Sequence, residues 1–241
     1  MEIFTLIVQE IMETEDGKGT MVMGYAFGRV SRGDKVFFYH PSSKVMNHEV
    51  KQINTSPEEV VGSAQNQVVA LAFDGVRKGQ VHKYTVISNQ TKIDVASKTT
   101  TFNNPELFGL LYGINKFGRD SAFITTLTYY LNRAKFLVEI NTAEEPIVEN
   151  GVASFKKDTK MVVQAMKNTD GTTAIPVYTD QYVPVPDYNV LSNKSPKKMM
   201  FTTLKLASNM SMNKHDGIVI NPAGPAPFFL SNDLLKQLNL K

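Results

Sequence analysis

Between residues 4 and 87 apolar side chains come only in short runs, each closed by a glycine, a proline or a polar cluster. That rhythm excludes long helices and predicts a succession of short strands. Residues 4–11 form the first candidate strand, and the polar 14–19 segment supplies a turn. The next strand covers 20–30, interrupted by Gly24 and Gly28, which mark bends or close backbone approach in a curved sheet. Arg32-Gly33-Asp34 turns the chain into a strand over 35–40, and further strands are expected over 45–53, 64–73 and 84–87. Many short strands at this spacing favour a small closed or nearly closed antiparallel β-barrel, because closure leaves few unpaired backbone edges.

Past residue 104 the period changes. Residues 88–104 read as a polar connector, with 93–96 a possible short strand. Asn104-Pro105-Glu106 then suits a helix start: a capping side chain, a proline at the first helical position and an acid at the positive end. Leu107, Leu110, Leu111 and Ile114 share one face up to Gly118, and a second helix begins near Asp120 or Ser121. Strands are expected over 136–140, 174–179 and 217–221, with another apolar run around 161–166, Asn168-Thr169-Asp170-Gly171 as a turn and Pro184 and Pro186 making their segment an edge or irregular one. Ser231 or Asn232 caps a closing helix carrying Leu234, Leu235 and Leu238. The expected architecture is a multidomain chain, a small N-terminal β-barrel over 1–90 followed by an α+β domain over 105–241.

Phe4-Thr5-Leu6-Ile7-Val8, Gly17-Lys18-Gly19-Thr20-Met21-Val22-Met23-Gly24, Val30-Ser31-Arg32-Gly33-Asp34-Lys35-Val36, Val50-Lys51-Gln52-Ile53 and Ala70-Leu71-Ala72-Phe73-Asp74-Gly75-Val76 occur in the order found in domain 2 of the elongation factor Tu family, which residues 4–88 resemble. The resemblance implies a β-barrel that contacts other domains, ribosome or aminoacylated RNA. It implies no GTP hydrolysis: the nucleotide-binding domain would have to precede Phe4, and none is expected there. Gly17-Lys18-Gly19-Thr20 lacks the spacing of a phosphate loop and reads as a turn. In the second half, the 137–140 strand, Ala174-Ile175-Pro176-Val177-Tyr178-Thr179-Asp180, Gly217-Ile218-Val219-Ile220-Asn221-Pro222-Ala223-Gly224 and the 229–238 segment resemble the N-terminal domain of the SseB-like, or enhanced serine sensitivity, family. That resemblance implies an α+β fold and assigns no chemistry to any residue.

Without cysteine the chain can use neither thiolate catalysis nor a zinc–thiolate site. His40, His48, His82 and His215 fit no compact ligand motif, and the Glu58-Glu59 and Glu144-Glu145 neighbours point apart on an extended chain. No cofactor, metal or catalytic residue is expected, and the chain is read as a non-enzyme. The absence of a secretion signal or a long apolar run predicts a cytoplasmic, non-membrane protein. Residues 1–95 hold 10 basic and 11 acidic side chains and residues 96–241 hold 16 and 12, so neither half has the strong positive field of a nucleic-acid binder. The small lysine clusters Lys156-Lys157-Lys160 and Lys194-Lys197-Lys198 read as solvated residues.

The functional expectation is a protein-interaction or regulatory module. Its candidate partner surface is Tyr178, Thr179, Asp180, Asn221 and Pro222, used for a protein partner or for self-association; the competing reading is local turn bonding by Asp180 and Asn221. The alternative is RNA or ribosome binding through Arg29, Arg32 and Lys35. In that case affinity falls steeply with salt, and neutralising any of the three lowers both the affinity and the salt slope in filter binding; no RNA binding at low salt removes the alternative.

Overall fold

The computed structural model describes residues 3–14, 16–93, 103–145, 147–149, 152–154, 156, 158–179, 198–212, 214–222, 224 and 226–238. The architecture is a curled antiparallel sheet, a half-barrel, followed by a mixed α/β region. Two compact units result: residues 1–92 with 105–130, and residues 93–104 with 131–241.

The first unit contains β1 (Thr5–Glu13), β2 (Gly19–Phe27), β3 (Arg29–Ser31), β4 (Lys35–Tyr39), β5 (Met46–Glu49), β6 (Gln52–Ser56), β7 (Glu59–Val61), β8 (Ser63–Gln65), β9 (Val68–Asp74) and β10 (Val86–Ser88). Eight of them form one sheet in the order β5-β4-β10-β1-β2-β9-β6-β7, and β3 pairs with β8. The expected strand over 45–53 is thus two strands. The break at Val50-Lys51 lets the chain leave β4 and join β9, with Gly33 N donating to Val50 O (2.8 Å), Val50 N to Asp34 O (2.9 Å) and Lys51 N to Ala72 O (3.0 Å). The inner face is filled by Leu6, Val22, Phe38, Leu71, Phe73 and Ile87 among others. The 14–19 segment is the expected turn, with Gly17 at φ 66° and Asp16 Oδ1 accepting from Lys18 N.

Gly24 and Gly28 do what their positions suggest. A Cβ on Gly24 would lie 2.2 Å from Ile7 O, beside a bulge where the pairing jumps from Val8↔Gly24 to Glu10↔Met23, and Gly28 has φ 77°.

Two helices join this unit: α1 (Pro105–Phe117), and α2 (Ser121–Leu131), which groups here up to Tyr130. Asp120 caps α2 by accepting from Ala122 N (2.9 Å) and Phe123 N (3.3 Å). Helix α1 lies on the outer face of β1 and β10, opposite the barrel core. Gly109 and Gly113, one turn apart, make the approach possible: a Cβ at 109 would meet Thr5 Oγ1 and Val86 Cγ1 at 2.6 Å, and one at 113 would meet Ile7 Cδ1 at 2.2 Å. Leu107, Leu110, Leu111 and Ile7 are buried by this contact and its surroundings, each worth roughly 1.5–3 kcal/mol.

Glu106, expected at the positive end of α1, is buried and paired with Lys92. Close by, the Tyr39 hydroxyl donates to Gln90 O (2.7 Å) and accepts from Lys92 N (3.0 Å). Burial, with the Glu106 charge adding to it, pushes the Tyr39 phenol above its ordinary range.

The second unit contains β11 (Lys135–Asn141), β12 (Ile147–Glu149), β13 (Val152–Ser154), β14 (Val162–Val163), β15 (Met166–Lys167), β16 (Thr173–Tyr178), β17 (Lys198–Thr203), α3 (Leu204–Ser211), β18 (Gly217–Ile220), β19 (Phe228–Ser231) and α4 (Asn232–Gln237). In its main sheet β17 pairs with β11, β11 with β14 and β16, β15 with β16, β16 in parallel with β18, and β18 with β19. Strand β12 pairs only with β13 among the described residues. The apolar run over 161–166 contributes two short strands, β14 and the start of β15. The turn at 168–171 forms as expected, with Asn168 N donating to Thr172 O and Gly171 N to Asn168 O. Ser231 Oγ accepts from Leu234 N and caps α4. The possible strand over 93–96 is represented by one bridge, Ile93↔Asn103; residues 94–102 lie outside the described set, as do Pro184 and Pro186.

The Gly113 contact generates a stability prediction. Alanine there gains about 1 kcal/mol of helix propensity, but overpacking costs about 1–3 kcal/mol. Gly113→Ala is therefore expected to lower stability by about 1 kcal/mol in urea unfolding. Combining it with Ile7→Val, which removes the clashing methyl, is expected to cost less than the two single variants summed. Strict additivity would refute the contact.

Candidate functional site

The candidate partner residues of the second unit converge, and they converge on one another. Tyr178 ends β16 and Asn221 follows β18, neighbouring strands in parallel register through Val177↔Ile220. Thr179 N donates to Asn221 Oδ1 (3.0 Å) and Asn221 Nδ2 donates to Thr179 Oγ1 (2.9 Å). Asn104 Nδ2 donates to Thr179 O and to Lys135 O, both 2.9 Å. Asn221 N donates to Val177 O and Gly224 N to Asn221 O, both 2.8 Å. Tyr178, Thr179, Asn221 and Asn104 are all buried, while Pro222 is half-buried. Asp180 lies outside the described residues. Asn221 adopts φ 51°, a left-handed conformation that asparagine tolerates because its short amide bonds locally. Chemically this is a polar knot that ties the ends of β16 and β18 together.

Arg29, Arg32 and Lys35 are exposed on β3, the following turn and the start of β4. Arg29 Nη2 donates to Ser63 Oγ (3.3 Å). Glu49, opposite Lys35 in the β4–β5 register, forms an ion pair with Lys51 (2.8 Å). The Lys51 bond and charge, followed by the weaker fields of Lys35 and Arg32, hold the Glu49 carboxyl below its usual range. Two of the three cations therefore act on an existing carboxylate. Lys156 and Lys160 are exposed, whereas Lys157, Lys194 and Lys197 lie outside the described residues.

A larger feature escaped the motif reading. Helix α1 covers the outer face of β1 and β10, but the same face continues across β2, β9 and β6. Its outward residues are Met21, Met23, Tyr25 and Phe27 on β2, Val68, Ala70 and Ala72 on β9, and Gln52 and Asn54 on β6; in cross-strand register Ala72 lies between Met21 and Gln52, and Ala70 between Met23 and Asn54. Met12 of β1 adds to it opposite Met21. Met12 is 40% exposed and Val68 45%. The rings of Phe27 and Tyr112 stack at 4.7 Å, and Lys116 Nζ sits 4.8 Å over Tyr25. The signal was present as Met21-Val22-Met23, an unalternating apolar run in a strand whose outer face might have been polar.

Among the described residues the titratable groups lie in separate local settings. Among the described residues no three His, Asp or Glu side chains gather as a metal site requires. A depression of about 400 Å³ lined by Phe37, Val45, Met46, Asn47 and His48 holds one ionisable group. His215 and Asp216 serve separate local bonds: His215 O accepts from Asn232 Nδ2 (2.6 Å), and Asp216 Oδ2 accepts from Thr173 N (2.7 Å). His40 and His82 stack at 4.6 Å. Burial, and secondarily the His82 charge, lowers His40 from 6.5 to about 4.

The SseB protein N-terminal domain model matches residues 113–237. No curated protein sequence matches the chain. Among solved structures, the C-terminal domain of a Geobacillus thermoleovorans putative U32 peptidase aligns with 35% of this chain and 88% of its own, at 14% identity and TM-score 0.28. The selenomethionine variant of that domain aligns with 34% and 95%, at 14% identity and TM-score 0.26.

Two predictions come from these clusters. Asn221→Ala strands the buried Thr179 N–H and removes the short amide whose local bonding makes φ 51° tolerable, so it is expected to cost about 2–3 kcal/mol in denaturant unfolding. Asn221→Gly, which tolerates the backbone, costs about 1 kcal/mol less; equal losses would show that conformation plays no part. For His40, the unfolded chain binds a proton near pH 6.5 while the folded chain does so near 4. Its contribution leaves stability unchanged above that window and lowers it progressively as pH falls from about 6.5 towards 4. An NMR titration of the His40 ring is expected to give a midpoint near 4, and a midpoint near 6.5 would remove this contribution.

Proposed function

The chain belongs to the family of the SseB protein N-terminal domain, and from that premise we propose that it acts as a non-enzymatic protein-interaction or regulatory module. The observation that carries this reading is the open apolar face of β2 and β9, on which Met12, Met21, Met23, Tyr25 and Val68 lie side by side. A contiguous apolar patch on a sheet face loses free energy by staying in water, and such patches serve as docking surfaces. Methionine suits that task because its flexible thioether adapts to a partner's shape.

In this reading the barrel is the docking module, in keeping with its resemblance to domain 2 of the elongation factor Tu family, whose barrels bind other macromolecules. The β16–β18 knot supports a second, smaller contact in the α/β unit. Thr179 and Asn221 position the loop, and among the described members of that group Pro222, half-buried, is the one open to a partner.

Pull-down from lysate of the source cells, using the intact chain and a Met23→Glu variant as baits, tests the reading. A reproducible partner captured by the intact chain and lost, by tenfold or more, with the variant is the expected result. Identical capture by both baits, or no partner with either, overturns it. Circular dichroism of the variant guards against unfolding as the cause.

A further inference from the structure

We propose that the trough running along β9 seats an amphipathic α-helix of the partner protein, laid beside α1 with its N-terminus toward Asp74 and Glu10 and its C-terminus toward Lys116. This rests on the interaction reading above and names the chemistry of what docks.

The trough follows from side-chain size and register. Ala70 and Ala72 are the outward residues of β9, and each lies between a methionine on β2 and an amide on β6. Small residues flanked by larger ones leave a shallow furrow along the strand, half-buried at Ala70 and closed by its neighbours to 6% exposure at Ala72. Strands stand about 4.8 Å apart, so β2 to β6 spans about 10 Å, the diameter of a helix with short side chains. Val68 to Asp74 runs about 20 Å at 3.4 Å per residue, room for roughly 13 helical residues at 1.5 Å each.

The same outer face already accepts a helix. Helix α1 sits over β1 and β10 through Gly109 and Gly113, and its flank meets the open region where Tyr112 stacks on Phe27 and Lys116 covers Tyr25. The apolar surface therefore continues from the α1 interface onto β9. A sheet face offers side chains and no free backbone donors or acceptors. An extended peptide lying on it would leave its own backbone unbonded on that side, whereas a helix satisfies its backbone internally.

Charge selects against a nucleic acid and orients the helix. Glu10, opposite Met23, and Asp74, opposite Gly19, are exposed acids at one flank and end of the trough. Asp74 adds a weak favourable field to Lys51, which is already ion-paired to Glu49. Lys116 stands at the Tyr25 end. Phosphates are repelled by the acids, while the partial positive charge of a helix N-terminus and the negative charge of its C-terminus match this layout.

A phage-displayed library of random 16-residue peptides, panned against the full-length chain with an Ala70→Glu variant as counter-selection, tests the proposal. Selected peptides are expected to carry apolar residues at i, i+3 or i+4 and i+7, and to gain helical circular dichroism on binding. They are also expected to shift the Met12, Met21 and Met23 methyl signals of the wild-type chain and to bind Ala70→Glu at least tenfold more weakly. A spin label on the peptide C-terminus should broaden Val68 and Tyr25 signals and spare Met12; the reverse pattern overturns the orientation. Selection of proline-rich or extended peptides, binding that leaves the methionine methyls unmoved, or recovery of no binder overturns the helix. If the pull-down partner depends on Met23 while panning yields no helix, the interaction reading stands and this inference fails; if neither experiment finds a Met23-dependent partner, both fail.

Discussion

The first unit depends on a two-residue corner. Strands β5 and β6 are adjacent in the chain but stand at opposite ends of the eight-strand order, with β5 first and β6 next to last. Only Val50 and Lys51 lie between them, and two residues span at most about 7 Å beyond their neighbours. A flat sheet of that many strands at about 4.8 Å spacing would hold its ends tens of ångströms apart. The chain therefore has to curl, and the curl creates the inside that Leu6, Val22, Phe38, Leu71 and Phe73 fill. Val50 itself is fully buried, so the corner is held by packing as well as by its backbone bonds to Gly33 and Asp34.

Curling one face inward leaves a second face outward, and α1 covers part of it. Strand β1 is buried on both sides from Thr5 to Val8, by the core on one side and by α1 on the other. The glycine pair in α1 brings the helix backbone close enough for Ile7, Thr5 and Val86 to fill the space that side chains on the helix would have taken. The contact thus depends on the absence of two methyl groups. Beyond α1's flank the same face stays open, and its β2–β9 region is the surface on which the functional reading rests.

Much of this was legible in order but not in depth. Short strands, the change of period after residue 104, the turns at 14–19 and 168–171 and the Ser231 cap all rest on local chemistry, and the structure contains them. The division of 45–53 into two strands was not legible, because Val50 and Lys51 lack the glycine or proline that usually marks a break; the break is imposed by non-local pairing with β9. The grouping of α1 with the barrel was hidden for the same reason, since a helix following a polar connector gives no local sign of which sheet it covers. A clue did exist in Phe4-Thr5-Leu6-Ile7-Val8: an edge-free run with no polar alternation signals a strand buried on both faces. Strand β17 and helix α3 went unread because no turn separates them; Thr203 ends the one and, by accepting from Leu206 N, starts the other.

The candidate residues divide according to where their polar groups are satisfied. Thr179, Asn221 and Asn104 bond one another in the interior, so their directionality is already used to fix β16 against β18. A partner reaching them would have to replace bonds that are already good, with little net gain. The β2–β9 face is the opposite case. Met12 and Val68 keep about two-fifths of their surface in water, and covering them releases that water without breaking any internal bond. Sequence motifs direct attention to the polar group, since Asn-Pro and Thr-Asp are conspicuous as letters, whereas a methionine row in a strand looks like ordinary core. Only the register shows that Met21 and Met23 point away from the core while Val22 points into it, and the proposed docking surface on the first unit rests on that difference.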